Sequence, residues 1–233
     1  MQRPITTLFM LSSVDGKISI GNNDSLDFDK DLPKIKWVKE GLNQYYKLEQ
    51  KTDLFSLNSG RVMAKIGMNK KNDVNKLPVS FIIIDSKHLT KIGVNNLLKK
   101  SKRLFLVTTN MKHPAFNIKS NDLEIIYYKK FNFKDLFNKL KFKYGINNLT
   151  IQSGGTLNSI FLREGLIDYL SLVTATFLVG GKNTSSLIDG ESLHSIKEIS
   201  KVKALKLQKC EVLKNSYLHS IYEVINKWNT LFG

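Results

Sequence analysis

From Asp53 to Val179 the sequence alternates between short β-rich apolar runs and single helix-sized segments. "DLFSLN" (53–58) reads as a strand and "GRVMAKIG" after it as a short helix. "VSFIIIDS" (79–86) is a strand and "GVNNLLKK" a helix, "RLFLVTT" (103–109) and "LEIIYYK" (123–129) are strands, and "FKDLFNKLKFKYG" is a helix that Gly145 stops. "NLTIQS" is a further strand, a helix opens at the glycine pair 154–155 and ends at Gly165, and "YLSLVTATFLV" (169–179) is a long strand. Strands that alternate with single helices give a mostly parallel sheet covered on both faces, and unbroken runs such as "FIIID" suit strands buried on both sides.

The two ends of the chain fit around this centre. "ITTLFML" (5–11) is a buried strand followed by the Asp-Gly turn of "SSVDGK". The segment 31–50 predicts one helix with Asp31 as N-cap, Pro33 in its first turn and Ile35, Val38, Leu42 and Tyr45 on one face. Two extended runs around "KNS" near the C-terminus predict an antiparallel hairpin. With no internal repeat and no linker rich in Pro, Gly or Ser, the expectation is a single domain over residues 1–233. Its fold class is three-layer α/β, a mostly parallel central sheet with a C-terminal antiparallel hairpin.

Composition removes several function classes. A 42% apolar chain of 233 residues can bury a large core, and its apolar runs are too short or interrupted to cross a bilayer, so a soluble cytoplasmic protein is expected. The single cysteine, Cys210, excludes an internal disulfide framework, and no Cys/His spacing suits a metal. The net charge of +16 is spread along the chain as lysine, with only four arginines and no interleaved aromatic motif, which argues against nucleic acid as the partner. A basic surface still steers small anionic substrates inward.

In open α/β sheets, ligands bind where strands lead into helices. "QSGGT" lies at such a place, and a helix N-terminus attracts phosphate, which glycine lets approach the backbone. Ser153, Gly154, Gly155 and Thr156 are therefore candidate diphosphate ligands; a tight turn that needs glycine for backbone or packing reasons explains the pair equally well. "LNSGRV" repeats the arrangement after another strand, with Arg61 placed to meet an anion.

These residues carry a resemblance. "RPITTLFMLSSVDGKISI", the strand-then-"SGRV" helix, "FIIIDS", "IQSGGTLNSIFLREGLIDYLSLV" and "FLVGG" resemble, in order, the RibD C-terminal reductase domain of riboflavin biosynthesis, a family with the dihydrofolate reductase fold. The resemblance implies NADPH as cofactor, a homodimer, and hydride transfer to a pyrimidine sugar phosphate or a pterin-like relative, opening a ribosyl unit to a ribityl one. It places the NADPH diphosphate on Gly154, Gly155, Thr156 and Leu157 beside Ser153, and a neighbouring phosphate on Ser59, Gly60, Arg61 and Val62. Asp85, Ser86 and Lys87 would lie near the adenosine ribose, with Lys87 or Arg61 supplying charge for a 2′-phosphate. Phe9, Ser13 and Lys17 would border the substrate, and Asp15 is the candidate general acid or substrate anchor, unless it is only a turn-forming Asp-Gly.

Four departures stand out. Phe9 replaces a lysine usual in the family, Ser153 an acidic residue, "KIGMNKK" an Asp-Asp-Pro-like segment, and Thr176 a proline. Loss of a cation and an anion together points to a different substrate. A non-catalytic nucleotide-binding relative and a basic nucleic-acid-binding protein remain as alternatives at this point.

Overall fold

A computed structural model describes residues 3–23, 25–70 and 73–226. In chain order the elements are β1 (Ile5–Ser13), α1 (Phe28–Asp31), α2 (Lys36–Glu49), β2 (Phe55–Ser59), α3 (Gly60–Lys65), β3 (Ser80–Ile84), α4 (Lys91–Lys100) and β4 (Leu104–Thr108). They continue with β5 (Leu123–Tyr127), α5 (Phe133–Phe142), β6 (Asn148–Ile151), α6 (Gly155–Arg163), β7 (Tyr169–Ala175), β8 (Ala204–Val212) and β9 (Leu218–Ile225). The chain divides into two compact units, one built on Asp53–Ser153 and the other on Ile5–Thr52 with the segment from Gly154 onward.

The middle unit carries strands in the order β5-β4-β3-β2-β6, all parallel. Every residue of β3 and β4 is buried, as a parallel strand covered on both faces requires. Its core gathers Met63, Ile83, Leu97, Leu104 and Leu106 with Leu89 and Val94. Ser59, Thr90 and Asn132 each cap a helix by accepting a backbone N–H from the first turn of α3, α4 and α5.

The other unit carries β1-β7-β9-β8, with β1 parallel to β7 and the last two strands antiparallel, so the terminal hairpin forms as the sequence predicts. Its core joins Phe9, Leu11, Val173 and Ala175 of the sheet to Val38 and Leu42 of α2. Tyr217, at the start of β9, is fully buried and donates its hydroxyl to the Val38 carbonyl at 2.8 Å. Gln44 and Lys214 exchange two further bonds, 2.8 and 2.9 Å, so the hairpin turn is clasped to α2.

Two elements differ from expectation. The 31–50 helix is broken: Leu32–Lys34 form one 3-10 turn, Ile35 is extended, and α2 starts only at Lys36. Asp31 does not cap it, because its carboxylate is taken by the Asp27 amide and the Lys34 ammonium of the preceding turn. The long strand ends at Ala175 rather than 179, because the next residues leave the sheet to bond the 13–17 turn: Phe177 accepts from the Val14 amide and Asp15 from those of Val179 and Gly180. Among the described residues no helix is long and apolar enough to cross a membrane, and no cluster of His, Cys, Asp or Glu could hold a metal.

Candidate active site

The middle unit offers the carboxyl ends of β2 and β3. The Ser59 hydroxyl caps α3 by accepting from Val62 at 3.2 Å, which leaves Arg61 exposed in the first turn. Gly60 is required by close approach: a Cβ there would lie 2.2 Å from Cγ of Asp85. Asp85 itself is 2% exposed and saturated with donors. It accepts from the amides of Lys87, His88 and Leu89, from Nδ1 of His88 at 2.9 Å and from Nε2 of His113 at 3.0 Å. Burial alone would raise its pKa, but the His113 bond and the Leu89 and His88 amides outweigh it and hold the carboxyl well below the usual range.

Asp85 therefore has no spare acceptor face for a ribose, and it acts instead as the post that fixes the loop after β3. Ser86 is braced from the other side, its hydroxyl 2.8 Å from that of Thr109 and its carbonyl accepting from Asn110. Lys87 remains exposed at the loop's tip. Neither His88 nor His113 is marked by a sequence motif. The signal for His88 was local, an Asp three residues before it at a strand end, whereas the pairing of His113 with Asp85 across 28 positions leaves no local pattern. Ser153 closes this unit and is buried, so it presents no side-chain surface for a substrate to read.

In the other unit, Gly154 is the N-cap of α6 at φ −77° and ψ 159°, and no side chain caps the helix. The two glycines differ. A Cβ at Gly154 would meet nothing within 4 Å, whereas one at Gly155 would lie 2.3 Å from the Ser186 carbonyl and 2.5 Å from Oδ2 of Asp189. The second glycine thus admits the chain's own 184–190 loop, and the first leaves open space at the helix start. The Asp189 amide bonds the Gly155 carbonyl, and Asn158 donates to the Leu187 carbonyl, tying that loop along α6. Thr156 is exposed and Leu157 half-buried beside the opening. The same loop roofs a cavity of about 480 Å³ lined by Lys182, Asn183, Thr184 and Asp189, beside Arg163 at the opposite end of the helix.

The 13–17 turn joins this arrangement. Lys17 donates from Nζ to the Thr184 carbonyl at 3.0 Å and to the Ser186 hydroxyl at 3.2 Å, and Ser13, itself buried, accepts the Lys17 amide. Lys17, Ser186, Asp189 and Gly155 are therefore one connected group. Asp15 accepts from the Ser13 hydroxyl at 2.5 Å and from the Gly180 amide at 2.6 Å. Those bonds, Ser13 first, lower its pKa to about 2. It is ionised at neutral pH, which argues against a general acid, and its bonds to Ser13, Val179 and Gly180 fit the turn-forming reading of Asp-Gly.

Phe9 is corrected as well. It is 2% exposed and stacks on Tyr45 with ring centroids 5.1 Å apart, inside the α2 core, so it cannot border a substrate. An aromatic ring at this position is accounted for by that stacking in the core.

Comparison with known proteins gives a consistent result. The model of the RibD C-terminal domain matches residues 4–219. The 2,5-diamino-6-ribosylamino-4(3H)-pyrimidinone 5′-phosphate reductase of Aquifex aeolicus is 23% identical over 97% of this chain and 99% of its own length. The protein of the same name from Methanothermobacter thermautotrophicus is 34% identical over 31% of this chain and 30% of its own. Among solved structures, RibD of Acinetobacter baumannii superposes with a TM-score of 0.65 at 16% identity, over 96% of this chain and 58% of that one. A riboflavin biosynthesis reductase of Saccharomyces cerevisia gives 0.58 at 16% identity, over 96% and 90%.

Proposed function

Because this chain belongs to the RibD C-terminal domain family, we propose that it is an NADPH-dependent reductase acting on a pyrimidine that bears a phosphorylated ribosylamino group, converting the ribosyl unit to a ribityl one. The full-length similarity to a reductase of that substrate class supports the reading. The observation that carries the cofactor is Gly154: an uncapped helix start with open space where a Cβ would stand is a place for a phosphate. The amides of Gly155, Thr156 and Leu157 and the exposed Thr156 hydroxyl would hold the diphosphate.

In the middle unit, Ser86, Lys87 and Arg61 stand at strand ends and would favour the cofactor with the additional phosphate. A charge-assisted hydrogen bond there corresponds to a preference of roughly ten-fold to a hundred-fold for NADPH over NADH. When bound, the reduced nicotinamide supplies the hydride. The chain's residues bind and orient the two reactants, and Asp15, fixed and ionised, anchors the turn that edges them.

The direct test follows the near-ultraviolet absorbance of NADPH in the presence of the diaminopyrimidinone ribosyl phosphate. Consumption of NADPH with formation of the ribityl product is expected. Binding of NADPH without turnover would instead select the non-catalytic relative, and rescue of a riboflavin-requiring strain would place the reaction in that pathway. The working form is proposed to be a homodimer, for which the exposed apolar side chains of β8 and β9, Leu205, Leu207, Val212 and Leu218, offer a surface. Sedimentation showing only monomer at micromolar concentration would remove that part.

A further inference from the structure

Asp85 fixes two imidazoles, and it leaves them in different states. Held well below the usual carboxylate range, it is ionised and can only accept, so each ring nitrogen facing it carries a proton. His113 gives Nε2 to Asp85, and its Nδ1 accepts from the Ala115 amide at 3.2 Å. Both its nitrogens are committed, the ring is wholly buried, and its role is structural. His88 gives Nδ1 to Asp85, and among the described residues its Nε2 has no hydrogen-bond partner. Its side chain is 35% exposed.

The position of that open nitrogen is specific. His88 follows the carboxyl end of β3, where ligands bind in sheets of this kind, and α3 begins against the same carboxylate through Gly60. The loop is rigid there. Besides the Asp85 bonds, the Asn69 side-chain amide donates to the His88 carbonyl at 2.9 Å and accepts from the Thr90 amide at 3.0 Å. Lys87 beside it is a long, exposed side chain that loses rotamer freedom when it binds, whereas the His88 ring is oriented in advance.

We propose that His88 recognises a phosphate monoester on the adenosine end of the dinucleotide, its Nε2 sharing a proton with a phosphate oxygen in a hydrogen bond while Nδ1 donates to Asp85. The inference rests on the reading that a nicotinamide dinucleotide binds this chain, and it adds His88 to the groups that set which one. His113 cannot substitute for it, because the Ala115 amide already occupies its second nitrogen.

The test is calorimetric titration of the full chain with adenosine 2′,5′-bisphosphate, adenosine 5′-monophosphate and NADPH. The wild-type chain is expected to bind the bisphosphate roughly ten-fold or more tighter than the monophosphate. His88→Gln should lower that ratio several-fold with the monophosphate affinity unchanged, the remainder coming from Lys87 and Arg61, and His88→Arg should restore it. A wild-type ratio in His88→Gln overturns the inference while leaving the dinucleotide reading intact. So does an equal weakening of both nucleotides, which is what a loosened loop would produce. Failure of the wild-type chain to bind either NADPH or the bisphosphate overturns both.

Discussion

Oδ2 of Asp189 stands 2.5 Å from the position a Cβ would take on Gly155, so the second glycine of the pair is reserved for the chain itself. Gly155→Ala should therefore act on folding. Crowding the Ser186 carbonyl and the Asp189 carboxylate costs roughly 1–3 kcal/mol, read as a lower melting temperature. Gly154→Val should leave melting nearly unchanged and weaken NADPH binding at least ten-fold, because its side chain enters only the open space at the helix start. Unaltered NADPH affinity in a folded Gly154→Val protein would remove the phosphate from that turn.

Asp85→Ala strips the partners from His113 and from three amides at once, and losing one member of a buried charged network costs roughly 3–5 kcal/mol. The wild-type carboxyl is depressed below its unfolded value, so its stabilisation is fully present above about pH 4 and is lost as the pH falls through the folded value. Denaturant melts from pH 5 downward should show this slope in the wild-type protein and a shallower one in the variant.

His219 titrates in a separate window. Its Nε2 lies 2.8 Å from the Ser171 hydroxyl, its buried Nδ1 makes no hydrogen bond and has only Glu211 at 3.9 Å, and burial lowers its pKa against the smaller opposing pull of Glu211. The unfolded chain therefore takes up this proton first. The contribution is complete above about pH 6.5 and is lost as the pH falls from there through the lower folded value. The melting temperature should drop between pH 7.5 and 5.5, and His219→Gln should flatten that drop; an identical slope in the variant would assign it to other groups.

Tyr217→Phe removes the bond to the Val38 carbonyl without changing shape, and should cost about 1 kcal/mol in chemical denaturation. A loss close to zero would show that water replaces the phenol at the clasp.

Much of the architecture was legible because its causes are local. Runs such as "FIIID" are buried on both faces, and Gly145 and Gly165 stop their helices in the left-handed region at φ +68°. The α/β class, the parallel pairing and the terminal hairpin follow from such features. The two glycine-led turns were legible as strand-to-helix junctions, yet the reason for Gly60 and Gly155 was not: the atoms that exclude a Cβ belong to Asp85 and to Asp189, 25 and 34 positions later. Phe9 misled for the same reason, since its stacking partner Tyr45 lies on a helix whose face is set by packing. The family pattern gave its position a meaning that the local fold does not share.

The clasp between α2 and the hairpin turn also sets an order of events during synthesis. Residues 53–153 form a continuous unit that can close as soon as they leave the ribosome, but α2, made before them, reaches its partner only when Lys214 and Tyr217 appear. At roughly 5–20 residues per second, that is a wait of about 10–30 s. Through it, Val38 and Leu42 lack Val173, Ala175 and Tyr217 as cover, and β1 has no β7 to pair with. A segment made before residues 53–153 is thus completed only after them, and it stays exposed to aggregation for longer than the unit that follows it.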